Sequence, residues 1–377
     1  FQSMGYLIDV YNGKYAPEKN PAKFALFVSF FPQLIQGPIA RFDQLENQLI
    51  TPHRFDLDGI ERGLLLMLWG WFKKKVIADR ALSLVEAVFG SQSAYGGAVI
   101  VVGVLFYSLQ QYADFSGGID LVTGIAQLFG IQLAPNFKRP YFSVSLGDFW
   151  RRWHISLGAW MRDYVFYPFA LTRPVSRMSK ALKKKAGTHI ARALPAALGN
   201  ILVFLLVGIW HGAQMNYVLW GLYNGVILAF TALVEPVYKR MNDPLPRRTA
   251  SGGFHVFRIL RTFLVVNIGW YFDRCVRVCD AFAMLHKTFF AFNARQLFDG
   301  TLDTLGLAAK DYRILLVATI ILFVVSLMQE RGVKIRDFVL SRPLALRWAV
   351  LYAFIFFVLA TFGGSNVAAS GFMYAVF

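Results

Sequence analysis

Charge is scarce in this chain. Only 16% of its 377 residues are Asp, Glu, Lys or Arg, where a soluble domain carries about 25%. Beside 56% apolar residues, that deficit excludes an ordinary soluble enzyme. Acid is scarcer still, with 22 acidic against 39 basic side chains and a formal charge of +17. On a polar background such a balance would suggest nucleic acid. On this apolar one it indicates basic segments facing an anionic lipid leaflet, and no nucleic-acid partner is expected. Cysteine is nearly absent: Cys275 and Cys279 are too few for a disulfide framework. Four apart, they share a face if their segment is helical, and they read as small buried hydrophobes. There is no Gly-x-Ser-x-Gly elbow, no P-loop and no cluster with metal-ligand spacing, so no metal or bound cofactor is expected. No initiator Met or signal peptide is seen, and Phe1 opens within an apolar pattern, which reads as a chain lacking N-terminal helices.

What is abundant is long apolar runs. They fall near 24–40, 60–78, 97–113, 195–212, 216–234, 257–272, 313–329 and 346–362. A helix needs roughly 17–25 residues to cross a bilayer, so the runs predict an all-α polytopic membrane protein with some re-entrant or interfacial pieces. Pro32 and Gly37-Pro38 interrupt the first run, a break tolerated only where protein or a cavity shields the freed backbone. Asp58-Gly59-Ile60-Glu61 reads as a capping box before the second. Between the third and fourth runs, helical spacing from Phe149 gathers Phe149, Trp153, Trp160 and Tyr164 on one flank, with Arg151, Arg152 and Arg162 elsewhere. That predicts an amphipathic helix.

Positive charge sets the topology. A loop at 173–192 with seven basic residues and no acid reads as cytoplasmic. So do Lys73-Lys74-Lys75 with Arg80, and Lys239, Arg240, Arg247, Arg248, Arg258 and Arg261. Runs 195–212 and 216–234 then form one out-and-back pair, and 273–312 is external. With no internal repeat, residues 1–377 read as a single membrane domain.

Two histidines carry the chemistry. His211 ends the apolar run Ile201–Ile209 followed by Trp210, and His154 lies in Asp148-Phe149-Trp150-Arg151-Arg152-Trp153-His154. An ionisable side chain at membrane depth is costly and marks a functional site by default. Imidazole titrates near neutrality and serves as a general base. Trp210 packs beside His211, and Asn216 and Gln214 are nearby polar groups. Asn216, Trp150 and backbone N–H groups near Gly212 are open alternatives for an oxyanion donor. Trp210, Asn216, Trp150, Arg152, Asp114 and Ser116 form the candidate substrate-binding set. Asp114-Phe115-Ser116-Gly117-Gly118-Ile119-Asp120 reads either as a helix break with a capping role or as a polar patch lining the reaction cavity. His53 with Asp58 matches a His-x4-Asp spacing but sits in a polar connector.

Gln111-Tyr112-Ala113-Asp114-Phe115-Ser116-Gly117, then Pro135-Asn136-Phe137-Lys138-Arg139-Pro140-Tyr141, the His154 segment and Gly208-Ile209-Trp210-His211-Gly212 occur in that order. Together they resemble the membrane-bound O-acyltransferases (MBOAT), most of all the bacterial alginate O-acetyltransferase branch. Trp69–Lys74, Ala78-Asp79-Arg80, Gly269–Phe272 and the ending Phe372–Phe377 fit the same pattern. The resemblance implies a multi-helix bundle with a central cavity in the bacterial inner membrane. It implies transfer of an acyl group, usually acetyl, from a cytoplasmic thioester such as acetyl-CoA to an extracytoplasmic polysaccharide or peptidoglycan. An SGNH-type partner protein commonly relays the group. It assigns His211 as the catalytic histidine and His154 as the second characteristic one. It also implies that on the order of a hundred N-terminal residues precede Phe1. A related branch moves D-alanine to teichoic acid. A proton-coupled transporter is the reading from another class, disfavoured by the missing inverted repeat.

Overall fold

The computed structural model describes residues 1–34, 36–242, 251–361 and 371. Its helices in chain order are α1 (Gln2–Tyr11), α2 (Pro21–Ser29), α3 (Phe42–Ile50), α4 (Leu57–Trp71), α5 (Asp79–Gly90), α6 (Gly97–Leu128), α7 (Leu146–Arg152), α8 (Ile155–Met161), α9 (Tyr167–Leu171), α10 (Arg173–His211), α11 (Met215–Asn242), α12 (Gly252–Arg274), α13 (Val278–Phe290), α14 (Ala309–Glu330), α15 (Ile335–Leu340) and α16 (Leu344–Thr361). Every regular element among the described residues is helical, as the apolar runs predict. Five helices are long and apolar enough to cross a membrane: α6, α10, α11, α14 and α16. The runs at 24–40, 60–78 and 257–272 do not qualify. The first breaks after Ser29 into a 3-10 turn at Phe31–Gln33, where Gln33 Nε2 donates to the Pro38 carbonyl at 3.0 Å. The expected basic positions Arg247 and Arg248 and the ending 372–377 lie outside the described residues.

The chain divides into two compact units. One comprises residues 2–136 and 284–377. Here α4 crosses α6 through two glycine pairs. A Cβ on Gly63 would sit 2.8 Å from the Gly124 carbonyl, and one on Gly70 would sit 2.6 Å from that of Gly117. The pairs are seven residues apart on both helices, so the backbones approach on one stripe. Asp56, rather than Asp58, caps α4, accepting from the Asp58 N–H at 3.1 Å.

Beyond Trp71 the helix widens to a π winding, Phe72–Ala78, and runs into α5. Lys73, Lys74 and Arg80, which the sequence offered with Lys75 as cytoplasmic positive charge, are buried here. Lys73, Lys74 and Arg80 are 3%, 1% and 1% exposed. Lys73 Nζ lies 2.7 Å from Asp120 and donates to Ser116 Oγ at 2.8 Å. Lys74 bridges Asp114 and Asp79, the latter at 2.9 Å, and Lys75 also reaches Asp79 at 2.9 Å. Arg80 Nε pairs with Asp311 at 3.3 Å, and its guanidinium donates to the Thr361 carbonyl. Four bases meet four acids, which is how such charges survive burial. Asp114 through Asp120 lie inside the unbroken α6, so the helix-break reading is overturned.

The second unit comprises Phe1 and residues 137–283. The single amphipathic helix expected from Phe149 is instead two short helices, α7 and α8. They are separated at His154, whose backbone is left-handed (φ 46°, ψ 53°). Phe149, Trp153 and Trp160 are nonetheless buried as the spacing predicts. The expected basic loop at 173–192 is helical, the first arm of α10. Gly187 (φ 86°, ψ 172°) breaks that helix, and Ser179 Oγ donates to the Ala191 carbonyl at 2.8 Å, so residues 173–186 double back on 188–211. Pro195 lacks the N–H that would serve Ala191, and the serine hydroxyl supplies it. The α10–α11 pair is the expected out-and-back hairpin. A Cβ on Gly221 would lie 2.2 Å from the Phe204 carbonyl, so only glycine permits this approach. Cys275 is buried at the end of α12, whereas Cys279 is exposed on α13. The two do not share a helix face, which corrects that expectation.

Candidate active site

His211 is the last residue of α10, with Gly212 at its cap and the turn to α11 immediately following. It is partly exposed. Three aromatic rings surround the imidazole. Trp210 lies edge-on with centroids 4.9 Å apart, Trp220 edge-on at 5.0 Å, and Tyr217 stacks at 6.1 Å. Gly212 admits the Tyr217 ring, since a Cβ there would meet it at 2.7 Å. A ring held on three sides has few orientations, which pre-places its nitrogens for proton transfer.

His154, at the junction of α7 and α8, is brought to the same place. It is 7% exposed, its ring lies 6.1 Å from that of Trp210, and it is near enough to His211 for the two to interact electrostatically. The left-handed residue ends α7 and aims a new helix axis. Histidine tolerates this conformation better than most residues.

Trp150 packs edge-on against Phe204 at 4.9 Å and Trp220 at 5.7 Å. Its indole Nε1 donates to Asn224 Oδ1 at 3.2 Å, and Asn224 Nδ2 donates to the Trp220 carbonyl at 2.9 Å. Asn224 therefore ties the Trp150 indole to α11, and the Trp150 ring packs on Trp220, which touches His211. Trp220 in turn stacks on Trp270 at 6.3 Å. Sequence reasoning missed Asn224 and Trp220. The cost argument that singled out His211 applies equally to a buried amide in an apolar helix and would have found Asn224.

The remaining candidates divide. Asn216 is 2% exposed, and its Nδ2 donates to the Phe272 carbonyl at 3.3 Å. Its Oδ1 is buried without a hydrogen-bond partner among the described residues. The atom it offers is thus an acceptor, which does not suit an oxyanion donor. Arg152 pairs with Asp148 at 3.3 Å, and its carbonyl accepts from Lys138 N at 2.9 Å, so it braces the 137–145 turn. Asp114 and Ser116 belong to the other unit, where they are bonded to Lys74 and Lys73. His53 Nε2 lies 2.6 Å from the Gln48 carbonyl in an exposed connector.

Apolar helices of spanning length, two of them in the unit that holds an aromatic-walled histidine pair, define a membrane-embedded protein with acid–base potential. The chain belongs to the membrane-bound O-acyltransferase (MBOAT) family, whose profile matches residues 18–268. It is 35% identical to the Probable alginate O-acetylase AlgI of Pseudomonas syringae pv. tomato, over 79% of this chain and 51% of that protein. It is 32% identical to the Peptidoglycan O-acetyltransferase of Helicobacter pylori, over 70% of this chain and 45% of that one. Against the Teichoic acid D-alanyltransferase of Bacillus subtilis it is 25% identical, over 72% and 66%. The chain thus spans about half the length of the first of these relatives.

Proposed function

We propose that this chain is an O-acyltransferase of the bacterial inner membrane. It moves an acetyl group from a cytoplasmic thioester such as acetyl-CoA to an extracytoplasmic polysaccharide or peptidoglycan hydroxyl, through an SGNH-type partner where one serves. The observation that carries this reading is the convergence of His154 and His211 on Trp210 in a chain of this family. His211 is the general base. Its imidazole takes the proton of the acceptor hydroxyl as the oxygen attacks the thioester carbonyl. The C–O bond forms, the tetrahedral intermediate collapses, the C–S bond breaks, and the proton passes to the leaving thiolate. General-base catalysis supplies about 10²–10⁴-fold. The aromatic walls keep bulk water from hydrolysing the thioester. In this reading Trp150 and Trp210 bound the acyl site, and the unpaired Asn216 Oδ1 supports a role as acceptor for an N–H or O–H of a substrate.

Membranes carrying the full-length protein and radiolabelled acetyl-CoA test this. Wild type should pass label to an external protein or glycan, and His211→Ala should lower transfer by at least about 10² while expression stays normal. Near-normal turnover in the variant would remove His211 from the role of base. The second reading, D-alanyl transfer to teichoic acid, rests on the 25% identity to the Bacillus subtilis enzyme. Transfer from a carrier-bound alanyl thioester, with none from acetyl-CoA, would establish it instead.

A further inference from the structure

The doubled-back helix α10 forms a groove of about 420 Å³ between its arms. Ser176 and Lys180 line it from the first arm, Arg192 and Pro195 from the second, and Leu171 and Val175 make an apolar end. The groove is braced by the Ser179–Ala191 hydrogen bond at 2.8 Å. Arg192 also lines a second cavity of about 480 Å³ with His189 and Glu235. Glu235 is engaged by Lys239 at 2.7 Å, so it does not neutralise the arginine. Neither the Lys180 nor the Arg192 side chain makes an ion pair or hydrogen bond to a described residue. Every charged residue between 173 and 192 is basic. A fixed concavity with two uncommitted cations, a hydroxyl and an apolar end has the chemistry of a site for a phosphate attached to an alkyl chain.

We propose that this groove seats the headgroup phosphate of an anionic phospholipid between Lys180 and Arg192, with the lipid chains lying along Leu171, Val175 and Pro195. The second arm leads from Arg192 into the apolar run at 195–212, so the groove opens where the helix enters the bilayer. A nucleotide phosphate shares the charge but not the rest of the fit, because none of the lining residues is aromatic and able to stack a base. The site is separate from acyl transfer and holds or fails independently of it.

The test uses the full-length protein in phosphatidylcholine nanodiscs doped with phosphatidylglycerol, with bound lipid counted by native mass spectrometry. The pair Lys180→Gln with Arg192→Gln should retain phosphatidylglycerol at least about a hundred-fold more weakly, from roughly a tenfold loss for each charge-assisted hydrogen bond to the phosphate. The pair Lys184→Gln with Lys185→Gln removes the same charge outside the groove and should cost clearly less, at most the roughly fivefold per residue of diffuse attraction. The swap Lys180→Arg with Arg192→Lys should restore binding, which excludes misfolding as the cause of the loss. Equal losses in the two glutamine pairs would overturn the site in favour of diffuse attraction. Displacement of the lipid by coenzyme A at equal phosphate concentration would overturn it in favour of a nucleotide.

Discussion

Asn224 shows how much of the site depends on residues that never meet a substrate. Its amide accepts one bond from the Trp150 indole and donates one to the Trp220 carbonyl. Replacing it by leucine removes both and leaves the buried indole N–H unpaired, a loss of about 1–3 kcal/mol. It also frees the Trp150 indole, which packs edge-on at 5.7 Å against the Trp220 ring that flanks His211 at 5.0 Å. Asn224→Leu should therefore lower kcat about tenfold or more at a temperature where the detergent-solubilised variant remains folded, with KM changed much less. A variant that melts earlier yet turns over normally when folded would reduce Asn224 to a packing residue. The two histidines were legible from sequence because ionisable groups stand out in apolar runs. Their encirclement was not, because Trp220 and Trp270 look like ordinary apolar members of a span until the chain brings them within about 6 Å of the site's rings. The left-handed backbone at His154 was equally invisible, since periodicity does not encode a single φ.

Helices cross here where glycine removes the side chain between them. A Cβ on Gly117 would lie 2.9 Å from the Gly70 carbonyl, and a backbone oxygen cannot rotate away as a side chain can. Gly117→Leu should destabilise the protein by at least about 1–3 kcal/mol through overpacking, read as a lowered melting temperature in detergent. Gly90 ends α5 with nothing within 4 Å of its Cβ position, so Gly90→Leu is the control and should melt within a degree or two of wild type. Equal effects would mean that the crossing tolerates a wider separation. The hairpin was readable from hydropathy because its two facing stretches, 195–212 of α10 and 216–234 of α11, are predominantly apolar. Helix α6 was readable only to residue 113, because Asp114, Ser116 and Asp120 end the apolar signal while the helix continues to Leu128. The lysines that neutralise those polar groups lie about forty residues earlier. For the same reason Lys73-Lys74-Lys75 reads as unpaired positive charge: a sequence window shows the charge and hides its partner.

For the whole molecule, the excess of positive charge sits outside the buried cluster, which pairs four bases with four acids. The net +17 therefore falls on other segments, above all the first arm of α10. Lys184 is exposed on that arm, and its segment reads as cytoplasmic. On that reading the chain would cross outward in the second arm of α10 and return through α11. If α12 crosses again, the residues after Arg274 emerge on the far side. Its apolar content falls short of the other spans, so this third passage is the step most in need of a test. The protein carries a reporter for it, since Cys279 is exposed whereas Cys275 is buried. A membrane-impermeant maleimide applied to spheroplasts should label wild type through Cys279. Lys184→Cys on a Cys279→Ser background should react only after the membrane is opened. If instead both positions react only after opening, α12 does not cross, and the residues after Arg274 lie on the same side as Lys184.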